Sequence, residues 1–285
     1  MKVDYRRYVR LSRLREVQTS AGQYAIGFLL ACVLFKPTAW LGLLTATAAG
    51  VFAFTYNTIM DHRAGQTVEH SGKALGPLSP EDLRISKHLC LGSLGIALVG
   101  ILLLLKFSER PGGAAFLLFY LLIGFLYSAP EIRWKEKPGL ECVSNGLAHA
   151  LPFFAGYFQF RTPDIPALAY GLSFFFFMCG YYLLHCLEDR ESDRKAGIEN
   201  LCYVLGFERS INTAITLTGL AGLFFLVAVF RLPILFIFLP FYPAVIVAEL
   251  TLLRKEDLGV IALVRKGGRV YGAVLFVVLF VRALV

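Results

Sequence analysis

Two short acidic stretches have the residue types and the spacing needed to bind a divalent cation. The first is Asn57-Thr-Ile-Met-Asp61 and the second is Asp189-Arg-Glu-Ser-Asp193, and in each a glycine follows four residues after the last aspartate. A four-residue step places both polar groups of a stretch on one helix face, about one turn apart. Hard cations such as Mg²⁺ prefer oxygen ligands and are usually held by one or two carboxylates together with substrate phosphates. The pattern therefore predicts two sparse ligand sets suited to metal ions that carry a diphosphate.

The elements that must position these stretches are apolar runs near the length of a membrane span. Hydrophobic residues make up 57% of the 285 positions and charged residues 17%. This composition excludes an ordinary soluble domain and is typical of an all-α polytopic membrane protein. We predict about nine transmembrane helices that form a single transmembrane domain over residues 1–285. The predicted spans are 20–36, 40–60, 86–106, 113–129, 140–160, 167–187, 211–230, 232–252 and 270–285.

The placement of lysine and arginine predicts the orientation of the chain. With a cytoplasmic N-terminus, the inside segments hold about 21 lysines and arginines and the outside segments about 6, as the positive-inside rule expects. Residues 1–19 then form a basic cytoplasmic segment, and polar loops at 61–84, 130–139 and 188–209 face the cytoplasm. We therefore expect an integral membrane protein in a lipid bilayer, with its site on the cytoplasmic side. The net charge of +8 needs no nucleic acid to explain it.

Basic residues close to the acidic stretches could bind phosphate oxygens. Arg63 and Lys195 lie beside the stretches, and Arg133 and Lys135 occupy the loop at 130–139. Guanidinium and ammonium groups complement phosphate in charge and in hydrogen bonding. The alternative interpretation is that each of these residues only anchors the cytoplasmic end of a helix.

Aromatic residues are abundant, and most are explained by helix packing and interfacial belts. Tyr127 and Tyr182 lie close to the expected metal site, where a ring face can stabilise the carbocation that forms when an allylic diphosphate ionises. Of the five histidines, only His185, one turn before Asp189, is a candidate neighbour of the site.

The two acidic stretches together resemble the paired aspartate motifs of the UbiA-type intramembrane prenyltransferases. The stretch Tyr127-Ser-Ala-Pro-Glu-Ile-Arg133-Trp-Lys135 is similar to the YSxPPxRLK loop of that superfamily, and the resemblance covers essentially the whole chain. It implies a helical bundle around a central cavity that opens to the cytoplasmic side and to the membrane. It also implies a Mg²⁺-dependent enzyme that transfers a prenyl group from a prenyl diphosphate donor to a lipophilic acceptor, either an aromatic or quinone precursor or an isoprenoid.

The resemblance also carries roles onto individual residues, with Asp61, Asp189 and Asp193 as the catalytic carboxylates. The metal ligands would be Asn57, Asp61, Asp189 and Asp193. The groups that bind the diphosphate would include the basic and aromatic neighbours described above. The full set is Arg13, Arg63, Tyr127, Arg133, Lys135, Tyr182 and Lys195.

Three positions depart from the family pattern. Gly65 stands where many relatives have a second aspartate, Glu131 replaces the second proline of the middle loop, and Asn200 occupies a position where threonine is common. Two other functions stay open. A terpene cyclase on the same scaffold would need the same residues to ionise its substrate. A transporter or lipid-binding membrane protein would use carboxylates in an ion pathway.

Overall fold

The computed structural model describes residues 5–65, 69–70, 73–74, 78–196 and 199–284, and these fold almost entirely into α-helices. The helices are α1 (Tyr5–Leu11), α2 (Leu14–Leu30), α3 (Pro37–Arg63), α4 (Pro80–Phe107), α5 (Gly112–Ser128), α6 (Leu140–Phe158), α7 (Ile165–Ala196), α8 (Leu201–Leu205), α9 (Phe207–Arg231), α10 (Phe241–Lys255) and α11 (Gly259–Leu284). Short 3₁₀ helices cover Trp134–Glu136 and Pro233–Phe238. Between α3 and α4, β1 (Glu69–His70) pairs antiparallel with β2 (Lys73–Ala74), and Glu69 lies opposite Ala74.

Six helical stretches of the described residues are long and apolar enough to cross a membrane, which confirms the prediction of a helical integral membrane protein. They are Pro37–Arg63, Pro80–Phe107, Ile165–Arg190, Phe207–Phe230, Pro233–Lys255 and Gly259–Leu284. The apolar helix α5 is shorter, with 17 residues. The count of nine spans and the central cavity stay predictions.

The chain divides into two compact units. The first unit comprises Met1–Trp134 and Leu151–Arg161, and the second comprises Lys135–Ala150 and Thr162–Val285. Helix α6 belongs to the second unit up to Ala150 and to the first unit from Leu151 onward. The organisation as a single transmembrane domain stays a prediction.

The first unit packs through small residues that let helix backbones approach closely. A Cβ atom on Gly156 would lie 2.1 Å from the carbonyl oxygen of Tyr24, so α2 and the end of α6 touch along their backbones at this point. The buried hydroxyl of Tyr24 donates a hydrogen bond to Gln159, and the amide of Gln159 in turn donates to the carbonyl of Thr38 at 2.8 Å. These contacts fix α2, α3 and the end of α6 to one another.

The second unit is built on α7 and α9, which pack along much of their length. Aromatic rings and buried polar pairs fill its interior. The rings of Phe225 and Tyr242 lie 5.1 Å apart between centroids, and the hydroxyls of Tyr242 and Ser173 are 2.7 Å apart. On the neighbouring turns Thr218 donates to the carboxylate of Glu249 at 2.8 Å. Ser173 joins α7 to α10, and the packing of α7 against α9 positions the helix that carries the second acidic stretch near its C-terminal end.

Two regions that lie between the predicted spans are largely helical. Helix α7 continues through the charged residues to Ala196, and α8 follows, so only a short part of 188–209 lies between helices. Helix α11 begins at Gly259 rather than near residue 270. In both places the charged side chains mark a partly exposed helix surface, since Ile261 and Val264 of α11 are buried while Lys266 is exposed.

Candidate active site

The first acidic stretch lies in the last two turns of α3, and its polar groups are held in a chain of hydrogen bonds. Asn57 Nδ2 donates to Asp61 Oδ2 at 3.0 Å, which confirms that the four-residue spacing brings the two side chains together. Ser128 Oγ, at the end of α5, donates to Asn57 Oδ1 at 2.9 Å. A carbonyl oxygen has two lone pairs, so Asn57 Oδ1 can accept this bond and still face a cation. Tyr127 directly precedes Ser128 in the last turn of α5 and is half-buried.

Gly65 ends the helix that carries this stretch. Its φ is +69°, a left-handed conformation that glycine adopts without steric cost, and its N–H donates to the carbonyl of His62 at 3.2 Å. The glycine at this position, where many relatives have an aspartate, therefore has a local structural role in terminating α3.

Three predicted phosphate-binding arginines lie in the first unit, in different surroundings. Arg13 stands between α1 and α2 with φ of 52°, and its guanidinium carbon lies 4.8 Å from the ring centroid of Phe54, one turn before Asn57. Arg133 follows α5 and is half-buried, with φ of 38° and its N–H bonded to the carbonyl of Ala129 at 2.8 Å. Arg63 is exposed at the end of α3. Arg13 therefore contacts α3 one turn before the first acidic stretch.

The second acidic stretch lies near the C-terminal end of α7. Asp189 and Asp193 are half-buried and share one helix face, as the spacing predicts. His185 Nδ1 lies 3.6 Å from Asp189 Oδ2 and 3.3 Å from Glu188 Oε2, so the one candidate histidine does contact the site. Glu188 in turn pairs with Arg265 of α11, which compensates its charge.

Asp193 has a hydrogen-bond partner that lies beyond the end of α7. Asn200 Nδ2 donates to Asp193 Oδ2 at 2.7 Å. Asn200 is the N-cap residue of α8 and is buried. One oxygen of the Asp193 carboxylate is therefore bonded to a neutral amide.

The remaining predicted residues have these positions in the second unit. Tyr182 is half-buried on α7, two turns before Asp189 and on the same face, and Lys135 is half-buried in the 3₁₀ helix Trp134–Glu136. Lys195 belongs to α7, but its side chain lies outside the described residues, as does the whole of Gly197.

The donor atoms of both stretches fit Mg²⁺, since carboxylate and amide oxygens are the hard ligands that this ion takes. Within the part of the chain that the structure describes, no three His, Cys, Asp or Glu side chains come together as a ready-made metal site. The two sparse ligand sets stay a prediction, in which a bound diphosphate would supply further oxygen ligands.

Sequence reasoning assigned no role to three residues that contact the site. Ser128 was visible as part of the motif Tyr127-Ser128, but the motif does not show which residue the hydroxyl would contact. Arg265 is separated from Glu188 by 77 positions, so no local pattern connects them. Asn200 was noted only as a departure from the family pattern.

The fold and the site define a class: a helical integral membrane protein with an acidic motif near the end of an apolar helix in each of its two units. Residues 20–265 match the model of the UbiA prenyltransferase family, and the chain belongs to this family.

Individual relatives support this assignment. A lycopene elongase/hydratase of Haloarcula japonica is 29% identical over 205 residues, which is 70% of this chain and 66% of that protein. A chloroplastic 2-acylphloroglucinol 4-prenyltransferase of Humulus lupulus is 26% identical over 198 residues, or 67% of this chain and 46% of that protein. The match therefore spans less than two thirds of the length of either relative.

A solved structure shares the fold. The structure of a UbiA homolog from Archaeoglobus fulgidus, bound to GPP and Mg²⁺, has a TM-score of 0.75 at 21% identity, over 98% of this chain and 100% of that one. At this level of identity the similarity concerns the fold alone.

Proposed function

We propose that this protein is a Mg²⁺-dependent intramembrane prenyltransferase that moves a prenyl group from an isoprenyl diphosphate to a lipophilic acceptor. The observation that carries the proposal is the local order of the two acidic stretches. In each, oxygen ligands stand one helical turn apart at the end of an apolar helix, and a neutral amide holds an aspartate without cancelling its charge. The solved UbiA homolog with GPP and Mg²⁺ supports the same assignment.

The residues have separate roles in this proposal. Asn57, Asp61, Asp189 and Asp193 would hold Mg²⁺, which when bound neutralises the charge on the departing diphosphate. The groups that would bind the diphosphate are Arg13, Arg63, Tyr127, Arg133, Lys135, Tyr182 and Lys195, and the rings of Tyr127 and Tyr182 would also face the reacting end of the donor.

In the reaction the bond between the first prenyl carbon and the diphosphate oxygen breaks, and both electrons leave with the oxygen. The allylic cation that remains forms a carbon–carbon bond with the acceptor, which then loses a proton. The apolar helices would exclude water, which otherwise captures the cation.

The proposal also includes the chemical class of the acceptor. The relative from Haloarcula japonica is a lycopene elongase/hydratase, and similarity to it favours an isoprenoid acceptor with an extended polyene chain. Similarity to the plant 2-acylphloroglucinol 4-prenyltransferase makes a hydroxylated aromatic compound the second candidate acceptor. The site would open to the cytoplasmic side, with the N-terminus on that side.

The direct test uses purified protein in lipid nanodiscs with Mg²⁺ and dimethylallyl, geranyl, farnesyl or geranylgeranyl diphosphate. Each donor is offered with a linear carotenoid, with a hydroxylated aromatic acid, or alone. Diphosphate release and the prenylated product are measured together. We expect Asp61→Asn and Asp189→Asn each to reduce the rate by about 100-fold, since loss of charge stabilisation worth several kcal/mol raises the barrier.

Asp257→Asn is the matched control. Asp257 is exposed and accepts a bond from the N–H of Gly259 at 2.9 Å, a bond that asparagine can also accept. Diphosphate release that survives both motif substitutions would refute the proposal. A cyclised hydrocarbon formed without any acceptor would identify a terpene cyclase, and proton-coupled uptake into proteoliposomes without a metal requirement would identify a transporter.

A further inference from the structure

Asn200 makes two hydrogen bonds that fix its side chain from both ends. Its Oδ1 accepts from the backbone N–H of Tyr203 at 3.0 Å, and its Nδ2 donates to Asp193 Oδ2 at 2.7 Å. The residue is only 4% exposed, so water competes poorly for either bond. The N-cap of α8 and the orientation of Asp193 therefore depend on one amide group.

The start of α8 is itself fixed by a buried carboxylate. Glu141, in the first turn of α6, is 0% exposed, and its Oε1 accepts from the backbone N–H of Leu201 at 2.6 Å. That N–H belongs to the first turn of α8 and has no partner within the helix. The bond ties Leu201, and with it the neighbouring backbone of Asn200, to α6. Burial of a carboxylate is costly unless it is hydrogen-bonded, and this contact offsets part of that cost at Oε1, while Oε2 is buried without a hydrogen-bond partner.

We propose that Asn200 is a positioning residue for Asp193: it orients the Asp193 carboxylate toward the divalent cation, and Glu141 holds Asn200 in place through the start of α8. The inference rests on the proposed function for its metal. A donor on one carboxylate oxygen fixes the plane of the group and so the direction of the other oxygen. Because the donor is a neutral amide, it does this without the charge cancellation that lysine or arginine would cause.

The first test separates positioning from helix capping. Asn200→Ser keeps a side-chain oxygen that can cap α8, but the hydroxyl is one bond shorter than the amide and does not reach Asp193. Binding of Mn²⁺ alone, followed by electron paramagnetic resonance in nanodiscs without diphosphate, reports on the site independently of turnover. We expect Asn200→Ser to weaken Mn²⁺ binding by about 10-fold to 100-fold, the usual cost of losing a partner that orients a ligand. Its melting temperature should stay close to that of the wild type.

A kinetic readout tests the same residue. The Mg²⁺ concentration for half-maximal diphosphate release should rise in Asn200→Ser by a similar factor, while the rate at saturating Mg²⁺ changes little. Asn212→Ala is the matched control, because Asn212 is exposed on α9. It should alter neither Mn²⁺ binding nor the Mg²⁺ requirement.

Glu141 provides a second, independent pair of variants. Glu141→Gln keeps an oxygen acceptor for the Leu201 N–H and should retain Mn²⁺ binding close to the wild-type value. Glu141→Leu removes the acceptor and should lower the Mn²⁺ affinity toward the value expected for Asn200→Ser. If Glu141→Leu does not fold, Asn200→Ser and Glu141→Gln still decide the question.

Wild-type Mn²⁺ affinity in a folded Asn200→Ser protein would overturn the inference and leave Asn200 as a helix cap only. Failure of the proposed function has a different signature: the wild type would release no diphosphate from any donor. The Mn²⁺ measurement would still show whether Asn200 orients Asp193.

Discussion

The two acidic stretches have the same spacing but hold their ligands differently. In the first, the stabilising amide is part of the motif, because Asn57 donates to Asp61 within α3. Among the contacts described above, Ser128 is the residue on another helix that bonds Asn57. In the second, both motif positions are aspartates, and contacts come from His185 on the preceding turn and from Asn200 beyond the helix. In the first motif the two predicted ligands are bonded to each other, whereas in the second each aspartate contacts a residue outside the motif.

This difference suggests a division of labour. Two carboxylates attract a divalent cation more strongly than one carboxylate and an amide, so the second stretch should contribute more to metal affinity. The first stretch, held by its own helix, should contribute more to fixed geometry. Each prediction below changes one side of this comparison.

The largest effect should come from removing both carboxylates of the second stretch. We expect Asp189→Asn combined with Asp193→Asn to reduce Mn²⁺ affinity by at least about 100-fold, since two of the three proposed carboxylate ligands lose their charge. Asp61→Asn should keep measurable Mn²⁺ binding, because the second stretch retains both aspartates. Titration followed by electron paramagnetic resonance compares the two variants directly. Equal loss of binding in both would show that the stretches do not differ in the proposed way.

Ser128→Ala tests the outside contact of the first stretch. Without the hydroxyl, the amide of Asn57 loses one of its two described hydrogen bonds and is less well oriented, so the Mg²⁺ concentration for half-maximal activity should rise by about 10-fold. Ser93→Ala is the matched control in the same unit. Ser93 is also buried, and in the described contacts its hydroxyl donates to the carbonyl of Cys90 on its own helix at 3.1 Å. An unchanged Mg²⁺ requirement in Ser128→Ala would mean that α3 orients Asn57 unaided.

The sequence was sufficient for the parts of this site that depend on local geometry. Apolar runs predicted the membrane helices, and the four-residue step predicted that Asn57 and Asp61 meet. The sequence predicts secondary structure less reliably where charged residues are dense. Residues 188–196 were interpreted as loop, yet Glu, Arg and Lys are good helix formers, and α7 continues through them.

Contacts that join distant parts of the chain could not be predicted in the same way. Asn200, at the start of α8, bonds Asp193 of α7, and its neighbour Leu201 bonds Glu141, 60 positions away. The pairing of Arg265 with Glu188 depends likewise on how α11 packs in the second unit. No spacing rule connects such residues, because their proximity is set by tertiary packing.

Gly65→Ala tests the end of the first stretch. Position 65 has φ of +69° and open space around it, so an added Cβ meets no neighbouring atom but strains the backbone. The free energy of unfolding should fall by about 1 kcal/mol, and by less for Gly65→Asn, because asparagine tolerates the left-handed conformation better than alanine. Thermal unfolding in detergent measures both. Gly92→Ala is the control: Gly92 also has open space, but it lies inside α4, where alanine is favoured. A Gly65→Ala protein as stable as the wild type would remove the helix-ending role assigned to this glycine.

Asn57→Asp makes the first stretch resemble the second and is therefore the finest test of the comparison. It replaces an amide that donates to Asp61 with a second carboxylate one turn away, and like charges at this spacing destabilise a helix by about 0.2–0.5 kcal/mol. Without divalent cations the variant should melt at a slightly lower temperature than the wild type. With Mg²⁺ its melting temperature should rise by more than that of the wild type, because the cation would now bind two charges instead of one. The control is Asn212→Asp, which adds the same charge at an exposed position of α9 and should show no additional response to Mg²⁺. If Asn57→Asp responds to Mg²⁺ no more than the wild type does, the number of carboxylates is not what distinguishes the two stretches, and their different hydrogen-bond partners must account for the difference.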